Sequence, residues 1–157
     1  PCAALAKTPS SWPPMLRVTQ KHRWLEFGIT VMKILSFNDH TPGSDASTLS
    51  IANDVDPRTV SLDGVTRIDL HFPKFTDGRA YSQAFLLRRR LNFQGEIRAT
   101  GDVLIDQLVA MSRTGFDVAV LRDGLDATAA QLQFDRFPAF YQGSAVDTQP
   151  LFAKAVV

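Results

Sequence analysis

Asp69 and His71 stand two residues apart in the run from Arg67 to Phe72. On an extended strand, residues i and i+2 project from one face, so the two have the makings of an acid–base couple in which a carboxylate orients an imidazole. No nucleophile sits at a recognisable elbow beside them. His22, His40 and His71 also lack metal-ligand spacing, so a structural role for His71 is the stronger reading. A second set lies in three polar segments: Lys74, Asp77, Arg79, Ser82 and Gln83; then Thr100, Asp102, Asp106 and Gln107; then Arg122, Asp123 and Asp126. Lys74, Arg79 and Arg122 could bind an oxyanion or a phosphate. Backbone N–H groups at two helix starts would each add about 0.3 to 1 kcal/mol toward an anion. Asp77 or Asp102 would be available for proton transfer. The same residue types also make ordinary caps and turns.

Arg88, Arg89 and Arg90 are consecutive. By helical phase Arg88 falls inside an apolar arc, while Arg89 and Arg90 point away. Removing one member of a buried ion pair costs about 3 to 5 kcal/mol, so Arg88 is expected to be matched by a carboxylate or a loop carbonyl. Neither G-x-G-x-x-G nor a Walker A pattern is present, which leaves a dinucleotide or a nucleoside triphosphate without motif support.

The elements that must position these residues are legible in part. Ile68, Leu70 and Phe72 alternate with Asp69 and His71, the pattern of a strand with unequal faces. From 81 to 91, Tyr81, Ala84, Phe85, Leu87 and Leu91 fall on one side of a helix. A strand at 95–100 and a helix at 102–114 follow, with Leu104, Ile105, Leu108, Val109 and Met111 on its apolar arc. Gly115 sits where a helix C-cap wants a left-handed residue, and 116–121 is an apolar run suited to a strand buried on both faces. Asp126 can cap a last helix carrying Ala130, Phe134 and Phe137, which Pro138 stops. Upstream, 33–37 and 49–52 read as short strands, and Asp54, Asp56 and Pro57 as the start of a short helix. Strand and helix alternate at the roughly 30-residue spacing of right-handed crossover units. The expected fold is α/β: repeated strand–helix units forming a small parallel sheet, either an open three-layer sheet or half-barrel-like. The site should then lie at the carboxyl ends of the strands.

Composition narrows the classes. The chain of 157 residues is 45% hydrophobic, enough for one domain with one core. Seventeen basic and sixteen acidic residues leave a net charge of +1, so no global field collects nucleic acid or an anionic membrane. Cys2 is the only cysteine in the sequence, too few for an iron–sulfur cluster or a cysteine-based zinc site. No apolar run approaches the length of a membrane span. A soluble, cytoplasmic protein is the expectation. Residues 1–31 lack periodicity and are rich in proline. Basic residues without an acid before Glu26 faintly echo a transit peptide, but the proline density opposes an amphipathic helix. They read as an irregular extension ahead of a start at Met32, with 32–157 forming the single α/β domain.

Several motifs occur in order: Phe72-Pro73-Lys74-Phe75-Thr76-Asp77-Gly78-Arg79 with Tyr81-Ser82-Gln83, Leu86-Leu87-Arg88, Gly95-Glu96-Ile97-Arg98-Ala99, Gly101-Asp102-Val103-Leu104 with Asp106-Gln107-Leu108, and Gly115-Phe116-Asp117. Together they resemble a bacterial family of unknown function that is labelled an oxidoreductase of sulfite reduction and encoded beside assimilatory sulfite reductase genes. The resemblance covers about Met32 to Phe152. This chain has Thr114 where a cysteine is expected before the Gly-Phe-Asp motif, and His71 where an acidic residue is common. Thiol chemistry at position 114 is therefore excluded.

What the resemblance implies is an accessory protein of assimilatory sulfite reduction, bound to the reductase or to a neighbouring sulfur-assimilation enzyme. Siroheme and an iron–sulfur cluster would belong to that partner and no cofactor to this chain, because one cysteine cannot supply the thiolates. An exposed apolar surface around Phe137, Phe140 and Tyr141 would support docking. The alternative is a small enzyme or carrier for a sulfur oxyanion or a phosphorylated sulfur metabolite, held by Lys74, Asp77, Arg79, Arg98, Asp102 and Arg122. A flavin-borne electron carrier has no motif behind it.

Overall fold

Apolar and polar side chains alternate along Arg67–Phe72: Ile68, Leu70 and Phe72 are fully buried, whereas His71 is exposed. That strand lies second from the edge of a five-stranded parallel sheet. The computed structural model describes residues 32–43, 45–136 and 140–153. Its strands are β1 (Lys33–Leu35), β2 (Thr48–Ile51), β3 (Arg67–Phe72), β4 (Glu96–Gly101) and β5 (Val118–Val120), in the order β1-β5-β4-β3-β2. All four pairings are parallel. The helices are α1 (Arg79–Arg89), α2 (Leu108–Thr114) and α3 (Ala127–Arg136). The fold is α/β as expected, and the extension at 1–31 lies outside the described residues.

The three helices share one face of the sheet. Their buried residues Ala84, Leu87, Leu108, Met111 and Ala130 join Ile68, Leu70, Ile97, Ala99 and Ala119 in one core. From β2 to β5 the chain steps across the sheet in one direction, whereas β1 to β2 returns across its full width. Right-handed crossovers running in opposite directions must use opposite faces. The β1–β2 connection accordingly crosses the second face, where the Arg67 guanidinium donates to the Thr41 carbonyl at 2.9 Å. The described residues thus form one helical layer and one sheet, with a loop rather than further helices on the other side.

Two elements differ from the sequence expectation. Along α1 the buried stripe is Ala80, Gln83, Ala84 and Leu87, with Tyr81 and Leu91 packed at its margins, and Phe85 is exposed. Small residues at 80 and 84 let the helix approach β3 closely, which turns Phe85 outward. The helix expected from Asp102 begins as a 3-10 turn at Ile105–Gln107 and becomes α-helical at Leu108. Asp102 N donates to the Phe72 carbonyl, Val103 is buried in the core and Leu104 is extended, so no helix starts before Ile105. Gly115 does cap α2 in the left-handed region, with φ 112° and its N–H on the Met111 and Ser112 carbonyls. Asp126 caps α3, accepting from Thr128 N at 2.8 Å. Phe137 and Pro138 lie outside the described residues.

Candidate functional site

The sequence-nominated residues divide among three places. Lys74, Asp77, Arg79, Asp102, Asp106, Gln107 and Arg122 converge on the carboxyl ends of the strands. Asp77 and Arg79 form an ion pair at 2.8 Å through Oδ2, and Asn53 donates to the same Asp77 oxygen at 2.6 Å. The Arg79 guanidinium and backbone hold the Asp77 carboxyl down to about 2, from an ordinary 3.8. Asp102 accepts from Phe75 N, and Gln107 donates to the Phe75 carbonyl, so two side chains of the β4–α2 loop clamp the backbone of one residue of the β3–α1 loop from both sides. Arg122 reaches Asp102 at 3.1 Å. Two of the three cations proposed for an anion are therefore matched by carboxylates, while Lys74 and Ser82 are exposed. Beneath this edge, burial and the neighbouring Asp106 push the Tyr81 hydroxyl up to about 12. Its ring packs edge-on to Phe72 and Phe116.

Topology singles out one point on this edge. The connections leaving β1 and β5, neighbours in the sheet, depart to opposite faces. In open α/β sheets, ligand crevices form at such switch points. Here it falls between the Ser36–Asp39 turn and the loop from Leu121 to Asp126. Of the nominated residues, Arg122, Asp123 and Asp126 stand there, and Arg122 is the cation among them, with 56% of its side chain exposed.

Gln83 and Arg88 serve the fold. Gln83 is buried and its amide donates to the Ala52 and Val55 carbonyls, tying the loop after β2 to α1. Arg88 lies at the amino end of the sheet with 14% of its side chain exposed. It donates to the carbonyls of Gly115, Phe93 and Gly95 and to the Asp117 carboxylate, meeting the sequence expectation of a matched guanidinium. Asp117 in turn accepts from Ile97 N at 2.8 Å. The Leu-Leu-Arg, Gly-Glu-Ile-Arg-Ala and Gly-Phe-Asp motifs thus meet in one knot.

Arg98 does not belong with the strand-end group. It sits mid-β4 on the second face, hydrogen-bonded to Glu96, because the alternation that buries Ile97 and Ala99 sends it the other way. In register, Asp69 faces Arg98 and Arg67 faces Glu96, an alternating quartet of charges across two strands. Asp69 is held by Arg67 at 2.6 and 2.8 Å, which leaves the Asp69–His71 couple unmade. His40 on the crossing loop faces Asp69, Arg67 and Arg98. Burial lowers its pKa foremost; Asp69 opposes this, and the two arginines reinforce it. Sequence reasoning missed His40 and Arg67, since only the sheet register brings them together. Among the described residues no group of three or more His, Cys, Asp and Glu is placed to hold a metal, and no helix is long and apolar enough to cross a membrane.

A further surface lies near the carboxyl end of the chain. Tyr141 and Phe152 are 68% and 69% exposed and pack on each other with ring centroids 5.4 Å apart. Phe140 lies under the Arg113 guanidinium at 4.2 Å. Residues 48–152 match the model of a family described as "Bacterial protein of unknown function (DUF934)". The chain belongs to this family. The matched region begins at β2 and ends at the Phe152 ring, so it takes in the knot, the strand-end loops and the aromatic surface of this DUF934 member. No curated protein and no solved structure matches the chain.

Proposed function

We propose that this DUF934 chain is an accessory protein of assimilatory sulfite reduction that binds the reductase or a neighbouring sulfur-assimilation enzyme. The observation that carries the reading is the exposed aromatic pair Tyr141 and Phe152. Aromatic side chains are enriched at protein interfaces, where they bury large rigid surfaces at little entropic cost. Tyr141 belongs to the stretch Phe137, Phe140 and Tyr141 whose exposure would support docking, Phe137 lying outside the described residues. The oxidoreductase label is then a property of the complex. The partner brings siroheme and an iron–sulfur cluster, whose four thiolates exceed the single cysteine in this sequence. The reading puts this work in the cytoplasm. Purification of the tagged chain from sulfate-grown cells, with mass spectrometry and a visible spectrum of the eluate, tests it. Recovery of sulfite reductase with siroheme absorbance is the expected result; a colourless protein without a sulfur-assimilation enzyme would contradict it.

One observation favours a second reading, an enzyme or carrier of a sulfur oxyanion or phosphorylated sulfur metabolite. Arg122 stands half-exposed at the topological switch point, with Lys74 on the same edge. An anion there would share Arg122 with the Asp102 carboxylate, whose charge opposes it, which makes this the weaker reading. Calorimetric titration with sulfite, sulfate and adenylylated sulfate tests it: saturable heat that disappears in Arg122→Ala would establish the site, and no heat from any of the three would remove it.

A further inference from the structure

Phe85 and Arg89 lie one helical turn apart on the outer side of α1, where Phe85 leaves a large apolar side chain 45% exposed. They form one wall of a groove of about 610 Å³, open to solvent. The last turn of α2 forms its floor through Ala110 and Arg113, and the chain from Gln142 to Pro150 forms the other wall. That wall is fixed in place: Ala145 N donates to the Arg113 carbonyl at 2.9 Å, and the Arg113 guanidinium donates to the Gln142 carbonyl at 3.2 Å while lying over Phe140. The groove is therefore built, not a gap between loose segments.

Its charge is one-sided. Arg89 and Arg113 are the charged groups in the lining; Asp147 belongs to the Gln142–Pro150 segment but does not line the groove, and neither arginine forms an ion pair among the described residues. The groove lies at the C-terminal ends of α1 and α2, whose dipoles oppose an anion with about half an elementary charge each. Two full guanidinium charges outweigh that, and their planar donor sets suit carboxylates. Phe85, Ala110, Ala145 and Pro150 supply apolar surface between and beside them.

We propose that this groove binds an acidic, partly apolar segment of a partner protein, with Arg89 and Arg113 receiving its carboxylates and Phe85 its apolar side chains. The proposal deepens the accessory-protein reading and rests on it for the partner's identity. Occupancy would continue from the groove onto the Tyr141–Phe152 surface, which the same C-terminal segment presents.

The test is a titration of the full ¹⁵N-labelled chain with a blocked ten-residue peptide of alternating glutamate and leucine, and with its lysine–leucine counterpart. The acidic peptide should shift the amides of Ala110 to Thr114 and Gln142 to Ala145. The exposed substitution Arg89→Glu should weaken binding at least tenfold with an unchanged circular dichroism spectrum, and the basic peptide should leave these amides unmoved. Absence of groove shifts, equal binding of the basic peptide, or undiminished binding by R89E would overturn the proposal. Groove binding in a chain that captures no reductase from cells would defeat the reductase reading and leave the groove. Reductase capture without groove shifts would do the opposite.

Discussion

The two ends of the sheet are built from the same residue types and treat them differently. At the amino end, Arg88 donates to three carbonyls and one carboxylate, and its partner Asp117 also caps the start of β4 through Ile97 N. At the carboxyl end, Arg79 and Arg122 each meet one aspartate and remain 62% and 56% exposed. A guanidinium withdrawn from water must have every donor matched, and its loss strands buried acceptors; an exposed pair is screened and contributes about 0 to 1 kcal/mol. The amino end is thus committed to stability, while the carboxyl end can exchange its partners.

Arg88→Ala should produce the largest effect, a loss of about 3 kcal/mol of unfolding free energy in urea, because it strands the Gly115, Phe93 and Gly95 carbonyls, while Asp117, 38% exposed, can turn to water. Arg88→Lys should restore little of it, since one ammonium cannot reach acceptors spread over a planar fork. Gly115→Ala comes next, at about 1 to 3 kcal/mol: its φ of 112° disfavours a side chain, and the new Cβ would stand 2.5 Å from Arg88 Cγ. Arg122→Ala should change stability by no more than about 1 kcal/mol. A loss as large as that of R88A would erase the contrast between the two ends.

The smallest effect is a titration. Asp77 has a folded-state pKa of about 2, below the ordinary 3.8, so its contribution to stability is present above the ordinary value and is lost as pH falls through about 2. In Arg79→Ala its carboxyl resonance should titrate nearer the ordinary value. An unmoved midpoint would mean that Arg79 does not hold this carboxylate.

Legibility followed locality. The faces of β3 could be read because period-two alternation is a property of six adjacent residues, and Arg88 because helical phase put a charge on a buried arc. Phe85 was assigned to the wrong side of α1 because hydrophobicity alone does not reveal that a close helix–strand approach calls for alanine at 80 and 84. The start of α2 was misplaced because Asp102 is detained by the end of β3, a contact 30 residues away in sequence. The strand-end group emerged from the βα alternation, but which cations were already paired did not. The grouping of Arg98 with it failed for the same reason: the charge quartet on the second face exists only once β3 and β4 are in register.

On the proposed reading, this chain docks to sulfite reductase through its C-terminal aromatic surface. Sedimentation velocity of the purified chain mixed with purified sulfite reductase, followed at the siroheme absorbance, tests it most directly. A faster-moving siroheme boundary is expected with the native chain, and the boundary of free reductase when Tyr141→Ala and Phe152→Ala are combined. A boundary unchanged by the native chain would contradict it, as would a complex indifferent to both substitutions.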